Sequence, residues 1–276
     1  MKKILLINTK YKKYGGEDSN FVEEIKFLKK FYEVEYLNFD NSKSLNIFDV
    51  ISFITRSNLS TNKALKAKLN SFKPDIVYVH NTWFKANLGI FSVLLKENIE
   101  IILKIHNFRF ACTDTFSASK HLKGKEFCYN CGNMNKRLRV FNKYFENSYI
   151  KSFFVILYGK KYINILRKYN LKVIALNEFC KDYLIKKGVK KNKVFKNYNP
   201  FEISENYTYL ANSEYVVYAG SLVEQKGIEE LLESWIESNI NLKLLVIGTG
   251  QLESEIINRY SSQKIEFLGF VENEKT

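Results

Sequence analysis

The stretch that most constrains this 276-residue chain is Tyr215-Val-Val-Tyr-Ala-Gly-Ser-Leu-Val-Glu-Gln-Lys-Gly-Ile-Glu-Glu-Leu-Leu-Glu-Ser-Trp235. Its apolar run, Tyr215 to Ala219, shows no polar alternation, the pattern of a parallel strand covered on both faces. Gly220 then permits close backbone approach. After the turn Gly227 opens a helix, since Ile228, Leu231, Leu232 and Trp235 recur at i, i+3, i+4 and i+7. The unpaired N–H groups and positive dipole end of such a helix stabilise an anion, and Lys226 at the mouth adds a full charge. Two readings stand: a phosphate-holding loop, or an ordinary crossover in which glycine serves tight packing.

The rest of the chain repeats the alternation of strand and helix. Ile4-Leu-Leu-Ile7 reads as a short buried strand, followed by a turn with Gly15-Gly16 and by helical periodicity at Phe21, Ile25 and Leu28. Glu33-Val-Glu-Tyr36 is the next strand. Residues 41–73 are polar and mixed, with weak helical spacing from Lys63 to Phe72 and no visible chemistry. Pro74 stops that helix, and Ile76 to Val79 reads as a central strand ending in His80-Asn81-Thr82. Ile99 to Ile105 ends likewise in His106-Asn107-Phe108-Arg109. Ligands gather at the carboxyl ends of parallel strands, so two His-Asn pairs at successive strand ends put polar groups on one rim. A histidine taken singly is more often a packed or capping residue.

Further on, residues 136–168 read as two helices. The second, from Phe153, is apolar around too much of its girth for a surface anchor, so core packing is expected. Val173 to Leu176 is a strand, and Asn177 starts a helix carrying Cys180 as a small core residue. Val194 to Tyr198 leads to Asn199-Pro200, and the acidic, polar residues 201–214 form a linker. Leu242 to Ile247, ending in Gly248-Thr-Gly250, and Ile265 to Leu268 are the last strands. The expected fold is therefore α/β, with a Rossmann-like domain over 1–198 and a second αβ segment over 199–276, which the resemblance described next implies to be a partial domain.

Gly220-Ser221-Leu-Val-Glu-Gln-Lys226-Gly227 before an amphipathic helix resembles the donor-diphosphate loop of family 4 retaining glycosyltransferases, usually Gly-Arg-Leu-x-x-x-Lys-Gly. Ser221 stands where that family has arginine, which removes one of two cations from the diphosphate. Gly15-Gly16-Glu-Asp-Ser before the first helix is similar to the start of the same enzymes. So is His106-Asn-Phe-Arg-Phe-Ala-Cys112 followed by Cys128-Tyr-Asn-Cys131, with Thr113 in place of the usual proline. The resemblance implies a two-lobed GT-B architecture. It also implies that Gly15 and Gly16 face the donor's distal phosphate, that His106 contacts the donor sugar near its anomeric carbon, and that Gly248 and Gly250 lie under base and ribose. Asn107 and Arg109 are expected to hold the acceptor. The family's Glu-x(7)-Glu element, whose carboxylates hold sugar and ribose hydroxyls, does not occur before Thr276, so the donor domain is expected to be truncated and the chain to be inactive or completed by a partner.

Charge enters through its placement. Residues 1–119 hold 18 Lys/Arg against 12 Asp/Glu, residues 120–200 hold 20 against 4, and residues 201–276 hold 5 against 13. The central third thus carries +16 and the donor-type segment −8. A basic field of this kind suits an anionic membrane surface or a nucleic-acid backbone, unless it is merely a solvated lysine-rich face. No zinc-finger pairing and no aromatic RNP element supports RNA, so no nucleic-acid partner is expected. No window reaches the ~18 apolar residues of a membrane span, and the N-terminus is too short for a signal peptide. A cytoplasmic protein, peripheral to the inner membrane face, is the expectation.

Cys112, Cys128 and Cys131 have a C-x(15)-C-x(2)-C spacing that, with His121, offers four ligands for tetrahedral zinc. Structural zinc normally shows two paired half-sites and only one is present, so a packed acceptor loop is the alternative. No metal or other cofactor is expected to be required. The expected reaction moves a sugar from a nucleotide-sugar to a glycan or lipid-linked acceptor with retention, the diphosphate being held by Lys226, the following helix and the first glycine pair. The rival readings are a non-catalytic basic protein binding membrane or RNA, and a Rossmann oxidoreductase, which the missing Gly-x-Gly-x-x-Gly disfavours.

Overall fold

A computed structural model of the chain describes residues 1–11, 15–41, 47–55, 57–108, 148–200 and 214–271. They fall into two compact units, Met1–Glu202 and Ile203–Thr276. The larger unit runs β1 (Lys3–Lys10), α1 (Gly16–Lys29), β2 (Glu33–Asp40), α2 (Ile47–Thr55), α3 (Leu59–Phe72), β3 (Ile76–Val79), α4 (Gly89–Leu94), β4 (Glu100–Ile105), α5 (Tyr149–Lys168), β5 (Lys172–Ala175), α6 (Glu178–Lys186) and β6 (Val194–Lys196). Its six strands pair in the order β2-β1-β3-β4-β5-β6, every pair parallel.

The unalternating apolar runs are explained by two cores, one on each side of the sheet. Leu5, Ile7, Val77, Val79, Leu103 and Ile105 face a large cluster completed by Leu65, Leu69 and Phe72 of α3 and by Val155, Ile156 and Ile165 of α5. Ile4, Leu6 and Tyr78 face a smaller one with Phe21 of α1. Burying each such side chain stabilises by roughly 1.5–3 kcal/mol. Because β1, β3 and β4 are central, their carboxyl ends come together, which is where the polar rim lies.

Local signals set the helix ends. Asn58 caps α3 by accepting from the Thr61 N–H at 3.2 Å, and the helix stops at Lys73, whose φ of 51° is left-handed, just before Pro74. Asn177 caps α6 by accepting from the Cys180 N–H at 2.8 Å, and Cys180 is buried there as a small core residue. Helix α2 lies in a stretch read above as polar and mixed, although Ile47, Val50, Ile51 and Ile54 recur at i, i+3, i+4 and i+7. It is held from outside itself: the Phe53 ring stacks on Phe84 and Tyr158 at 4.7 and 5.1 Å.

The smaller unit runs β7 (Tyr215–Ala219), α7 (Ile228–Glu237), β8 (Lys243–Ile247), α8 (Glu253–Tyr260) and β9 (Ile265–Gly269), with parallel order β7-β8-β9. Ile228, Leu232 and Trp235 of α7 and Ile256 and Tyr260 of α8 cover the face that carries Leu244, Val246 and Ile265. One expectation is corrected here. Strand β7 is parallel but not covered on both faces: Tyr215, Val216 and Val217 are 40–47% exposed. Among the described residues it is an edge strand, and both helices pack around the central β8, so an apolar run alone does not report two-sided burial.

Candidate functional site

At the carboxyl edge of the six-stranded sheet, the β3 ladder continues one residue further, with the His80 N–H donating to Ile7 O at 2.9 Å. This places the His80 ring below the rim, 4% exposed. Its Nδ1 lies 3.1 Å from Nε2 of His106, which follows β4, and the two rings stack with centroids 5.2 Å apart. The edge of Phe21 closes His80 from the other side at 5.1 Å.

Beneath the histidines is a buried charge pair. Lys104 of β4 is fully buried, and its ammonium donates to Glu24 Oε2 of α1 at 2.6 Å and more weakly to Asn20 Oδ1 at 3.4 Å. Glu24 Oε1 accepts from the Tyr78 hydroxyl at 2.8 Å. Oε2 also faces His80 Nε2 at 3.6 Å, within ion-pair reach but too long for a hydrogen bond, and His80 Nε2 has no hydrogen-bond partner among the described residues. Burial, then His106 and Lys104, hold His80 well below the usual histidine range. Burial, then Lys104, takes His106 down to about 3. Both rings are therefore neutral near pH 7, and Lys104 is itself lowered by burial against the opposing pull of Glu24.

Above this layer Asn107 and Glu17 meet. Asn107 Nδ2 donates to Glu17 Oε1 at 3.0 Å and to the Tyr11 hydroxyl at 3.1 Å, while Tyr11 donates to Glu17 Oε2 at 2.8 Å. Asn81 is spent on the backbone: its Nδ2 donates to Thr9 O at 2.7 Å and its Oδ1 accepts from the Trp83 N–H at 2.9 Å. Thr82 pairs with the Tyr158 hydroxyl at 2.8 Å. Glu17, His80, His106, Asn107, Tyr158 and Tyr162 line one pocket. Such a set, the Glu17 carboxylate and neutral donors and acceptors with Lys104 also in the lining, matches hydroxyl groups, which each donate and accept.

The glycine pair stands at the start of α1. A methyl group added at Gly15 or Gly16 would meet nothing within 4 Å, so neither glycine is required by packing. The Gly15 N–H donates to the Asp18 carboxylate at 3.3 Å, and burial raises the Asp18 pKa. With Glu17 and Asp18 in its first turn, this helix end already holds negative charge.

The smaller unit builds its loops from backbone. Gly220 N–H donates to Ile247 O and Leu222 N–H to Thr249 O, each at 3.0 Å. A Cβ at Gly248, whose φ is 136°, would lie 1.9 Å from Gly220 O, and one at Gly250 would lie 2.1 Å from Leu222 O. The loops after β7 and β8 thus touch main chain to main chain, which only glycine permits. Gly227, at a left-handed φ of 64°, ends the short turn Glu224–Lys226 and caps α7. Lys226 and Ser221 are exposed, and Glu229 and Glu230 occupy the first turn of α7.

Arg109, Cys112, His121, Cys128 and Cys131 lie outside the described residues, as does the first of the two helices expected over 136–168; among the described residues no group of His, Cys, Asp and Glu is arranged to hold a metal ion. No described helix is long and apolar enough to cross a membrane. The second expected helix is α5, and it is a core element, with Val155, Ile156, Tyr158, Tyr162, Ile165 and Leu166 buried. The sequence reading missed Glu17, Glu24 and Lys104. Two signals were there to find: Lys104 is the lone cation inside an apolar strand run, and Glu24 falls on the same helical stripe as Phe21, Ile25 and Leu28.

Neither a protein-family model nor a curated protein sequence matches the chain. Among solved structures it is similar to Alr3699/HepE of Anabaena in complex with UDP and glucose, with a TM-score of 0.59 at 14% identity over 99% of this chain and 70% of that one. Sucrose-phosphate synthase (tll1590) from Thermosynechococcus elongatus gives 0.64 at 12% identity over 100% and 72%. The lipopolysaccharide outer core galactosyltransferase WaaB in its apo form gives 0.53 at 14% over 99% and 69%. At these identities the likeness is one of fold: the chain has the α/β fold of the GT-B glycosyltransferases.

Proposed function

We propose that the chain transfers a sugar from a nucleotide-sugar to an acceptor hydroxyl. The observation that carries this reading is the pocket at the carboxyl edge of β1, β3 and β4. There Glu17, Asn107 and a neutral His106 offer hydroxyl-matching groups, in a fold shared with an enzyme crystallised with UDP and glucose. In this reading His106 meets the donor sugar near its anomeric carbon, Asn107 and Arg109 hold the acceptor, and transfer of a hexose proceeds with retention. The chemical demand is stabilisation of the departing diphosphate.

Both helix starts on which that charge would rest carry two acidic residues in the first turn, Glu17 and Asp18 on α1 and Glu229 and Glu230 on α7. Their dipoles are therefore partly cancelled as anion sites, and the full charge of Lys226 becomes the dominant favourable term. Lys226→Ala is expected to weaken UDP or GDP binding by about 1.5–3 kcal/mol, more than any change at Ser221, whereas Ser221→Arg strengthens it. Calorimetry decides this, and equal nucleotide affinity in wild type and K226A removes the donor-loop assignment.

The acceptor in this reading is a glycan or a lipid-linked saccharide met at the cytoplasmic membrane face. The support is charge: residues 120–200 carry +16, and each lysine near an anionic surface contributes on the order of 1 kcal/mol. Sedimentation with vesicles should rise with anionic lipid and fall with salt. Equal binding to neutral vesicles would point to a soluble acceptor instead.

A further inference from the structure

We propose that Glu24, acting through His80, fixes the tautomer of His106, so that His106 carries its proton on Nε2 and offers Nδ1 as a hydrogen-bond acceptor to a hydroxyl of the bound ligand. Glu24 and His80 are positioning residues in this scheme.

The argument begins with the contact between the rings. His80 Nδ1 and His106 Nε2 are 3.1 Å apart, so one nitrogen donates and the other accepts, and the two tautomers are locked together. If His80 donates from Nδ1, its Nε2 carries a bare lone pair. That lone pair would face the Glu24 carboxylate at 3.6 Å, two acceptors opposed in a site where both side chains are nearly sealed from water. If His80 instead carries its proton on Nε2, the N–H dipole points towards the carboxylate. His80 Nδ1 then accepts from His106 Nε2–H.

Low local dielectric makes that choice decisive. The carboxylate cannot turn away, because Lys104 holds Oε2 at 2.6 Å and the Tyr78 hydroxyl holds Oε1 at 2.8 Å. The orphaned state of His80 Nε2 is accounted for by the same arrangement: it is a donor directed at an acceptor slightly beyond hydrogen-bond range. Burial keeps both rings neutral, so each has one proton to place. With Nε2 of His106 occupied by His80, Nδ1 is the nitrogen left for a ligand, and His106 lines the pocket with Glu17 and Asn107. A ligand that meets it must donate a proton, as a sugar hydroxyl does. That last identification rests on the nucleotide-sugar reading above; the tautomer itself does not.

The test is a long-range ¹H–¹⁵N correlation spectrum of protein labelled at histidine, simple to assign because the chain has 3 histidines. Wild type near pH 7 should show protonated-type Nε2 and bare-type Nδ1 for both His80 and His106. A protonated Nδ1 on His106 overturns the proposal, whatever any variant does. The paired variant Glu24→Gln with Lys104→Met removes the carboxylate without leaving a buried unpaired ammonium. In it His106 should lose the single tautomer, and an unchanged pattern would overturn the part assigned to Glu24. Adding UDP-glucose to wild type should shift the His106 Nδ1 resonance in the direction of an accepted hydrogen bond. An unmoved Nδ1 with UDP-glucose shown bound by calorimetry sinks the ligand contact. Absence of UDP-glucose binding with the wild-type tautomers as expected supports the positioning scheme and counts against the nucleotide-sugar reading alone.

Discussion

In the six-stranded unit the polar groups at the sheet's carboxyl edge are side chains buried in layers, with Lys104 and Glu24 lowest, the two histidines above them and Glu17 with Asn107 at the rim. In the three-stranded unit the corresponding edge is made of main chain, with Gly248 against Gly220 and Gly250 against Leu222, and Lys226, in the turn that follows β7, is exposed. The contrast separates two ways of holding a ligand. A buried side-chain array is rigid and sensitive, because each member satisfies another. A glycine-built loop keeps its shape through steric fit, and its charged group can be altered without touching the fold.

The largest expected effect tests the first half of that contrast. Glu24→Ala leaves a buried ammonium and the Tyr78 hydroxyl without their acceptor, and removing one partner of a buried pair costs about 3–5 kcal/mol. Urea unfolding should show the loss, and amide exchange should speed up in β3 and β4 while β8 is unaffected. Exchange that rises equally in β8 would mean that the loss is not local to the buried array.

Next in size is Gly248→Ala, in which the new methyl would stand 1.9 Å from a carbonyl oxygen at a left-handed φ. Strain and overpacking together suggest about 2–4 kcal/mol, now confined to β7, β8 and α7 by the same exchange measurement. Gly250→Ala meets a similar clash at 2.1 Å without the positive φ, so the difference between the two variants isolates the backbone strain. A Gly248→Ala protein as stable as wild type would mean that these loops do not touch.

The smallest effect is that of pH. Burial holds His80 well below its ordinary value and His106 at about 3. Between the unfolded value near 6.5 and those native values, the unfolded chain binds protons that the native chain refuses. Stability from these groups is therefore full above about pH 6.5 and falls as the pH drops, by up to ~1.4 kcal/mol per pH unit for each ring. Urea midpoints at pH 7 and pH 6, between which the two rings together should cost about 1.4 kcal/mol, measure the slope, which should shrink in His106→Gln. An unchanged slope would mean that His106 is not sealed from water.

Much of the architecture was legible because it depends on near-neighbour pattern. Apolar runs marked β1, β3, β4, β5, β8 and β9, Pro74 and Asn177 marked helix limits, and the glycines marked loops that the structure packs backbone to backbone. Helix α2 was legible in Ile47, Val50, Ile51 and Ile54 at helical spacing; what that local period does not record is the packing of Phe53 on Phe84 and Tyr158, about 30 and 105 positions further on. The rim was half legible. His80 and His106 were visible as strand-end residues, but their shared hydrogen bond joins separate strands. Glu24 is absent from the sequence reading, although its spacing from Phe21 and Leu28 puts it on the buried stripe. The two-sided cover expected of β7 failed for a different reason: an apolar run tells how greasy a strand is, not whether it has a neighbour on each side.

One buried lysine also decides how the sheet can be assembled. Along β4 the side chains alternate, with Ile101, Leu103 and Ile105 towards the large core and Ile102 towards the small one, so Lys104 belongs to the small-core side where Glu24 waits. Apolar neighbours alone would tolerate a shift of β4 by one position, since isoleucine and leucine fill either face. Such a slip turns every side chain over and would drive an ammonium into the large apolar core, away from Glu24. The charge thus makes the wrong alignment of this strand much costlier than the right one, and it does so in the chain's least distinctive run of residues.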